Sequence, residues 1–330
     1  MKKVAINGFG RIGRAFFRVA FGDPDLEIVA INDPFFTSEM ARYLLTRDSI
    51  YGRYDREVRE ADGGLDVDGK AVELLAEREP DKLPWGEMGI ELVVESTGVF
   101  LSPEKARLHL EAGAQRVLLS APPKGEGVPQ IIYGVNHDAI EVSMEIVSAA
   151  SCTTNSFVPV MYVLEKEIGV AHALLATIHG YTGDQRLVDA PHSKPSRARA
   201  AAINIVPTTT GAAKATTKIL PSLEGKMDGV AYRVPVATGS VSDVTVELAK
   251  DVKVDEVNGL FRRYAEGELS GVLGVSDDPM VSSDVIGDDR PSVVDLTTTK
   301  VVDGRFLKVM AFYDNEWGYT HQLARVARLL

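Results

Sequence analysis

Val4-Ala5-Ile6, then Gly8-Phe9-Gly10-Arg11-Ile12-Gly13, then Arg14-Ala15-Phe16-Phe17-Arg18-Val19-Ala20 is the stretch that decides the fold. The apolar run reads as a strand, the three glycines as a tight turn and the last segment as a helix. A second apolar run, Ile28-Val29-Ala30-Ile31, ends at Asn32-Asp33. Alone the glycine pattern carries little, because glycines cluster in many turns. Between a strand and a helix, with an acid about 20 residues past the last glycine, it reads as a dinucleotide-binding βαβ unit. Gly8 permits the turn, Gly10 lets the backbone approach a pyrophosphate, and Gly13 lets the helix pack on the strand. The helix N-terminus receives the phosphate charge. Asp33 is placed to accept from the adenosine ribose hydroxyls and to repel a 2′-phosphate. The alternative is a ligand-free turn with Asp33 as a solvated loop acid.

Outward from this unit, strands and helices alternate up to residue 150. Ile90–Glu95 and Arg116–Ser120 read as strands, Pro103–Ala112 as a helix, and Gln130–Val135 as a further strand. Leu65–Val72 reads as an inserted hairpin with Asp68-Gly69 at its turn. After residue 150 long alternating strands dominate, at Ala171–Ile178, Gly229–Val236, Ser240–Leu248 and Arg305–Phe312. One helix near Val254–Ala265 interrupts them. The expected fold class is α/β: an N-terminal Rossmann domain with a doubly wound parallel sheet over residues 1–150, and an α+β catalytic domain with a largely antiparallel sheet over 151–315. The C-terminal helix, 316–330, is expected to return to the first domain.

The chain has 330 residues, 45% hydrophobic and 25% charged, with a net charge of −11. That length accommodates two cores, and the charge argues against nonspecific nucleic-acid binding. No apolar run reaches membrane-spanning length, and no signal peptide is expected. One cysteine excludes an intrachain disulfide and fits a reducing compartment. No histidine, cysteine or acid cluster has metal-ligand spacing, so no metal is expected. An anionic substrate must then be held by local arginines.

The only cysteine lies in Ser151-Cys152-Thr153-Thr154-Asn155, after the apolar run Ile146–Ala150. Phe157, Val160, Met161 and Leu164 follow at helical spacing, so Cys152 opens a helix of about four turns. Free N–H groups and the helix dipole there favour a thiolate, and a thiol ionising below the ordinary range is expected. The plainer reading is a small buried hydrophobe, against which stand the polar flanks. His179 ends the strand Leu174–Ile178 and enters a Gly/Thr loop, where imidazole could take the thiol proton. A structural histidine is an equal reading. The basic loop from His192 to Arg199 is equally open between anion binding and a solvated segment.

These residues resemble those of the phosphorylating glyceraldehyde-3-phosphate dehydrogenase family, the NAD-linked glycolytic type. The resemblance runs from Asn7–Arg14 through Glu95-Ser96-Thr97-Gly98-Val99-Phe100, the Cys152 motif and Pro207–Lys214 to Tyr313-Asp314-Asn315-Glu316-Trp317-Gly318-Tyr319. It implies that Cys152 attacks the aldehyde with His179 as base, giving a thiohemiacetal and then a thioester, which inorganic phosphate cleaves. It implies cofactor positions at Gly8, Gly10, Arg11, Ile12, Gly13, Asp33, Arg78, Ser120 and Asn315, with Asn315 on the carboxamide and Tyr319 beside the nicotinamide. Ser151, Thr153, Thr210 and Gly211 match the attacking-phosphate site. Thr182 and Arg233 match the site for the substrate's own phosphate, and Arg197 reaches the phosphate pockets. A cytoplasmic homotetramer is implied, with the loop over 182–204 at subunit interfaces. Three positions depart from the pattern: Gly183 where Asn is usual, Ala190 where Leu is typical of NAD-specific members, and Ser196 where a second arginine is usual. Ala190 opens space near the adenosine ribose, so NAD with some NADP use is expected. Rival functions are an erythrose-4-phosphate dehydrogenase on the same fold and a catalytically silent nucleotide-binding regulator.

Overall fold

The computed structural model describes residues 1–330. The chain divides into two units: residues 1–131, 137–150 and 320–330 form the first, and residues 132–136 with 151–319 form the second.

In the first unit, Lys2–Asn7 is the central strand of an eight-stranded sheet. Leu26–Asn32 and then Lys70–Leu75 lie to one side of it, and Leu92–Glu95, Arg116–Leu119 and Ile146–Ser148 to the other. All six run parallel. Parallel strands covered on both faces should be apolar throughout, and Val4, Ala5 and Ile6 are fully buried. Helix Arg11–Ala20 packs Phe16 and Phe17 inward, with Phe9 edge-on to Phe17 at 6.1 Å. Each such ring contributes about 1.5–3 kcal/mol through burial. The strand order reverses at Lys2–Asn7, so the crevice at its carboxyl end is where such sheets take ligands.

The hairpin is present, with Gly64–Val67 paired antiparallel to Lys70–Leu75. Asp68 (φ 50°) and Gly69 (φ 81°) both take the left-handed conformation that a two-residue turn needs. A further edge strand, Val58–Ala61, completes the sheet. The strand expected at Gln130–Val135 is absent. Only Gln130 bridges to Ser148, after which the chain coils tightly, Asn136 Oδ1 accepting from Ile132 N and Ile132 O from Val135 N. Gly134 at φ 89° breaks the extended run.

The second unit holds its own eight-stranded sheet, in the order Val206–Thr209, Met227–Val234, Val170–Gly180, Ser240–Leu248, Phe306–Tyr313, Ser292–Asp295 and Leu273–Ser276, with Lys300–Val302 beside Phe306–Tyr313. It is mostly antiparallel. Val170–Gly180 and Met227–Val234 are parallel neighbours, and that register sets His179 opposite Arg233. Helices Cys152–Glu167 and Val254–Glu266 contribute Phe157, Met161, Leu164 and Phe261 to one core with Leu175, Val244 and Val309 of the sheet. A helix the strand pattern had hidden, Ala212–Ile219, adds Ala212 to that core.

The glycine turn separates packing from binding. A Cβ at Gly13 would sit 2.1 Å from the Gly8 carbonyl oxygen, whereas one at Gly10 meets nothing within 4 Å. Gly13→Ala should therefore cost about 1–3 kcal/mol of stability. Gly10→Ala should melt like the parent yet bind dinucleotide more weakly. Melting curves and a binding titration on both variants check this, and equal melting of the two would refute it.

Candidate active site

In the first unit, a cleft of about 380 Å³ lies at the carboxyl ends of the central strands. Asn7, Gly8 and Gly10 form its floor, Asn32, Asp33, Glu77 and Arg78 one side, and Ser96, Thr97, Val99 and Phe100 the other. Helix Arg11–Ala20 starts here with Gly10 at its N-cap, no side-chain cap and no acid in its first turn. Its first N–H groups and dipole are thus available to an anion. The Asp33 carboxylate is fixed on the wall, accepting from Phe9 N at 2.8 Å and Phe35 N at 3.0 Å. Phe35 is exposed at the rim with the Arg78 guanidinium over its ring. Open backbone at Gly10, an uncapped helix start and a strand-end acid fit a dinucleotide.

Not every expected cofactor residue faces this cleft. The Arg11 guanidinium is paired with Asp48 and lies over the Tyr51 ring, so only its backbone serves the helix start. Ile12 is in the same turn, and Gly13 packs against the Gly8 carbonyl. Ser120 follows the strand Arg116–Leu119, its N–H on Glu95 O, and does not line the cleft. Asn315 belongs to the second unit, where its Oδ1 accepts from Ser240 Oγ at 2.8 Å.

In the second unit, Ser151 caps helix Cys152–Glu167, its Oγ accepting from Thr154 N at 3.0 Å. Ala150 just before it stands at φ 57°, and its N–H donates to Ser148 Oγ. Cys152 therefore occupies the first helical position. Its Sγ lies 3.4 Å from His179 Nε2. The Gly180 carbonyl lies 2.6 Å from His179 Nδ1 and accepts from Arg233 Nη1 at 3.1 Å. Nδ1 thus has two neighbours, the Gly180 carbonyl, which only accepts, and Arg233 Nη1 at 2.8 Å, which only donates; the tautomer in which Nδ1 gives its proton to Gly180 O leaves the Nε2 lone pair facing the thiol. That is the tautomer a general base needs.

The electrostatics differ from the expected low thiol pKa. Burial pushes the Cys152 thiol up, against the Arg233 charge and the Thr153 N–H and hydroxyl, which pull it down. Burial, and then the Arg233 charge, push His179 down to about 3. Desolvation outweighs the helix N-terminus here, so thiol and imidazole rest neutral, and the proton passes to Nε2 as sulfur attacks.

The remaining predicted residues lie in this unit at distinct places. Thr153 Oγ1 is 3.0 Å from Tyr313 Oη. Thr210 caps the turn into helix Ala212–Ile219 by accepting from Ala212 N, and Gly211 is that helix's N-cap. Arg197 donates to Thr208 Oγ1 at 3.0 Å and to Asp184, which also meets His192. Thr182 begins the turn closed by Gln185 N onto its carbonyl. Sequence reasoning missed Asp184, and it quoted Thr208 and Tyr313 only as members of the Pro207–Lys214 and Tyr313–Tyr319 motifs, without a role of their own. Asp184 lies in the loop that follows His179, and that nearness is the one signal available for it.

With a dinucleotide cleft in one unit and a cysteine–histidine contact in the other, the class is that of an NAD-dependent oxidoreductase. Residues 2–103 match "Glyceraldehyde 3-phosphate dehydrogenase, NAD binding domain" and residues 151–315 the corresponding "C-terminal domain". The chain is 48% identical over 326 residues to the glyceraldehyde-3-phosphate dehydrogenase of Geobacillus stearothermophilus, covering 98% of this chain and 97% of that one. It is 47% identical over 332 residues to that of Thermotoga maritima, covering 100% and 99%. Glyceraldehyde-3-phosphate dehydrogenase 1 of Bacillus subtilis is 46% identical over 326 residues, covering 98% and 97%. The chain belongs to the glyceraldehyde-3-phosphate dehydrogenase family.

The fixed Asp33 carboxylate would meet a 2′-phosphate as a like charge. The enzyme should prefer NAD, and Asp33→Ala should narrow the NAD:NADP ratio of kcat/KM by about tenfold or more, the equivalent of 1.4 kcal/mol. Its melting point should fall as well, because two backbone N–H groups lose their acceptor. A wild type preferring NADP would overturn this weighting.

Proposed function

We propose that the protein oxidises D-glyceraldehyde 3-phosphate to 1,3-bisphosphoglycerate, with inorganic phosphate as acyl acceptor. The observation that carries the mechanism is the 3.4 Å contact of Cys152 Sγ with His179 Nε2, which offers sulfur its lone pair when Nδ1 donates to Gly180 O. Sulfur adds to the aldehyde carbon while Nε2 takes the thiol proton, and the imidazolium then donates to the alkoxide of the thiohemiacetal. Gly8, Gly10, Asp33 and Arg78, with the helix N-terminus at Arg11, Ile12 and Gly13, would hold NAD, which would supply the hydride acceptor. Asn315 is assigned to its carboxamide, and Ser120 to the cofactor on the resemblance alone. Loss of hydride from the thiohemiacetal carbon, with the hydroxyl proton returning to His179 Nε2, leaves a thioester that conserves the oxidation energy until phosphate attacks its carbonyl carbon. The acyl phosphate then leaves and sulfur is restored.

Arg233 and Thr182 are assigned to the substrate's phosphate, and Arg197 to the phosphate pockets. Ser151, Thr153, Thr210 and Gly211 are assigned to the attacking phosphate. A planar guanidinium gives two parallel charge-assisted bonds to phosphate oxygens. The buried Arg233 Nε lacks a partner, which suits a group waiting for an anion. The Thr208–Ala213 segment favours phosphorolysis over an erythrose-4-phosphate activity. Ala190 keeps some NADP use in the proposal.

A cytoplasmic homotetramer completes the reading. Leu187, Val188, Ile203 and Ile205 are strongly exposed in and beside the 182–204 loop, an apolar surface for neighbouring copies to cover. No helix is long and apolar enough to cross a membrane. Light scattering on the purified chain tests the tetramer, and a monomer at micromolar concentration would refute it.

Phosphate-dependent NADH formation at 340 nm is the primary assay. His179→Asn should keep NAD affinity and slow hydride transfer by about 10²–10⁴-fold. Unchanged turnover would place the base elsewhere. Arg233→Leu should damage use of the phosphorylated aldehyde, by roughly the 1.5–3 kcal/mol of a bond to a charged group, far more than use of unphosphorylated glyceraldehyde. Equal loss on both substrates would assign Arg233 a structural role.

A further inference from the structure

Tyr313 ends the strand Phe306–Tyr313, opposite Ser240, and is almost completely buried. Its Oη lies 3.0 Å from Thr153 Oγ1 and 2.8 Å from Thr177 Oγ1, and its ring meets His179 edge-on at 6.0 Å between centroids. Thr153 and Thr177 are buried too. Three hydroxyls carry three protons, and the two contacts use two of them. The third must leave the cluster or stay buried without an acceptor, at a cost comparable to a lost hydrogen bond.

Only one end offers an exit. Thr177 lies mid-strand and makes its hydrogen bond to Tyr313 alone. Thr153 lies one residue past Cys152 in the first helical turn, and its hydroxyl is among the groups that pull the Cys152 thiol down. If Thr153 donated to Tyr313, a proton would be stranded on Thr177 or on Tyr313. The order without a stranded proton is Thr177 to Tyr313 to Thr153.

We propose that Tyr313 is a positioning residue for the phosphorolysis step: with Thr177 it forms a directed hydroxyl relay that points the Thr153 proton toward the attacking phosphate. This rests on the assignment of Thr153 to that phosphate. While Cys152 carries developing negative charge, the same proton serves sulfur. Once the thioester has formed, sulfur is uncharged and the proton is available to a phosphate oxygen. Each bond in the chain polarises the next, so the terminal hydroxyl is a better donor than an isolated threonine.

The test is steady-state and burst kinetics on Tyr313→Phe, which keeps the ring against His179, and on Thr177→Val, which keeps the volume at the far end. Tyr313→Phe should raise KM for inorganic phosphate by about 3–10-fold, the range of one net hydrogen bond. KM for NAD and for the aldehyde should stay in place, as should kcat at saturating phosphate. The burst of NADH without phosphate should keep its amplitude. Thr177→Val should move KM for phosphate in the same direction. Thr153→Val separates the two ideas. If it leaves KM for phosphate unchanged, the assignment of Thr153 has failed. If it raises that KM while Tyr313→Phe does not, the relay has failed. A Tyr313→Phe protein with a lowered melting point and all three KM values shifted together would also overturn the relay.

Discussion

Main-chain pairing between Val170–Gly180 and Met227–Val234 holds His179 and Arg233 side by side, and the catalytic geometry depends on it. Parallel strands fix register residue by residue, so a slip of one position would turn either side chain to the opposite face. The pairing places a guanidinium 2.8 Å from His179 Nδ1 in a buried pocket. Two adjacent cations there would be costly, and the arrangement persists because the imidazole stays neutral while Gly180 O accepts from the arginine. The same neighbour that suppresses the imidazolium is the cation assigned to the substrate's phosphate. Charge placed on Arg233 by a bound anion would therefore ease proton acceptance by His179.

Local strain sits at the opposite partner. Ala150 in the left-handed region costs about 1–2 kcal/mol relative to the right-handed form. It is held there by its N–H bond to Ser148 Oγ and by the cap that Ser151 gives to Thr154 N. The sharp turn brings the chain from the strand Ile146–Ser148 to the helix Cys152–Glu167 within three residues. A slacker connection would move Cys152 off the first helical position, where helix N–H groups and His179 converge on sulfur. Strain at such a place is a structural cost tied to positioning a reactive atom.

Features written locally were legible in the sequence. The glycine turn, the Asp68-Gly69 hairpin and the helix that begins at Cys152 each depend on residues within one or two turns of each other. So did the pairing of a strand-end histidine with a helix-start cysteine as a possibility, though spacing alone left His179 open. What escaped depends on register across distant segments. Arg233, named through the resemblance, alternates by its own pattern like any strand arginine until Met227–Val234 is paired, and Tyr313 becomes part of the site only when Phe306–Tyr313 joins Ser240–Leu248. Arg11 shows the converse: it stands in the glycine motif by sequence, yet Asp48, 37 residues on, takes its side chain. The thiol's direction failed for a related reason, since a helix N-terminus is visible in sequence and the depth of burial is not.

Two buried histidines show how neighbours decide role. His109 is fully buried in the first unit, where Trp85 Nε1 donates to its Nδ1 at 3.1 Å. Indole is a donor only, so Nδ1 holds a lone pair and Nε2 carries the proton, which points to Glu95 Oε2 at 3.2 Å. Asn7 Nδ2 donates to the same oxygen, while Thr97 binds the other one through both its N–H and its hydroxyl. Asn7 and Thr97 both line the dinucleotide cleft, so this histidine braces the floor of a binding site. At His179 the Nδ1 neighbours are the Gly180 carbonyl, which only accepts, and Arg233 Nη1, which only donates, and a proton given to the carbonyl reverses the tautomer. The free lone pair then sits on Nε2 and faces a thiol rather than a carboxylate. The partner of Nδ1 thus separates a structural histidine from one able to move a proton. Either reading was open for a histidine in this sequence until that partner was known.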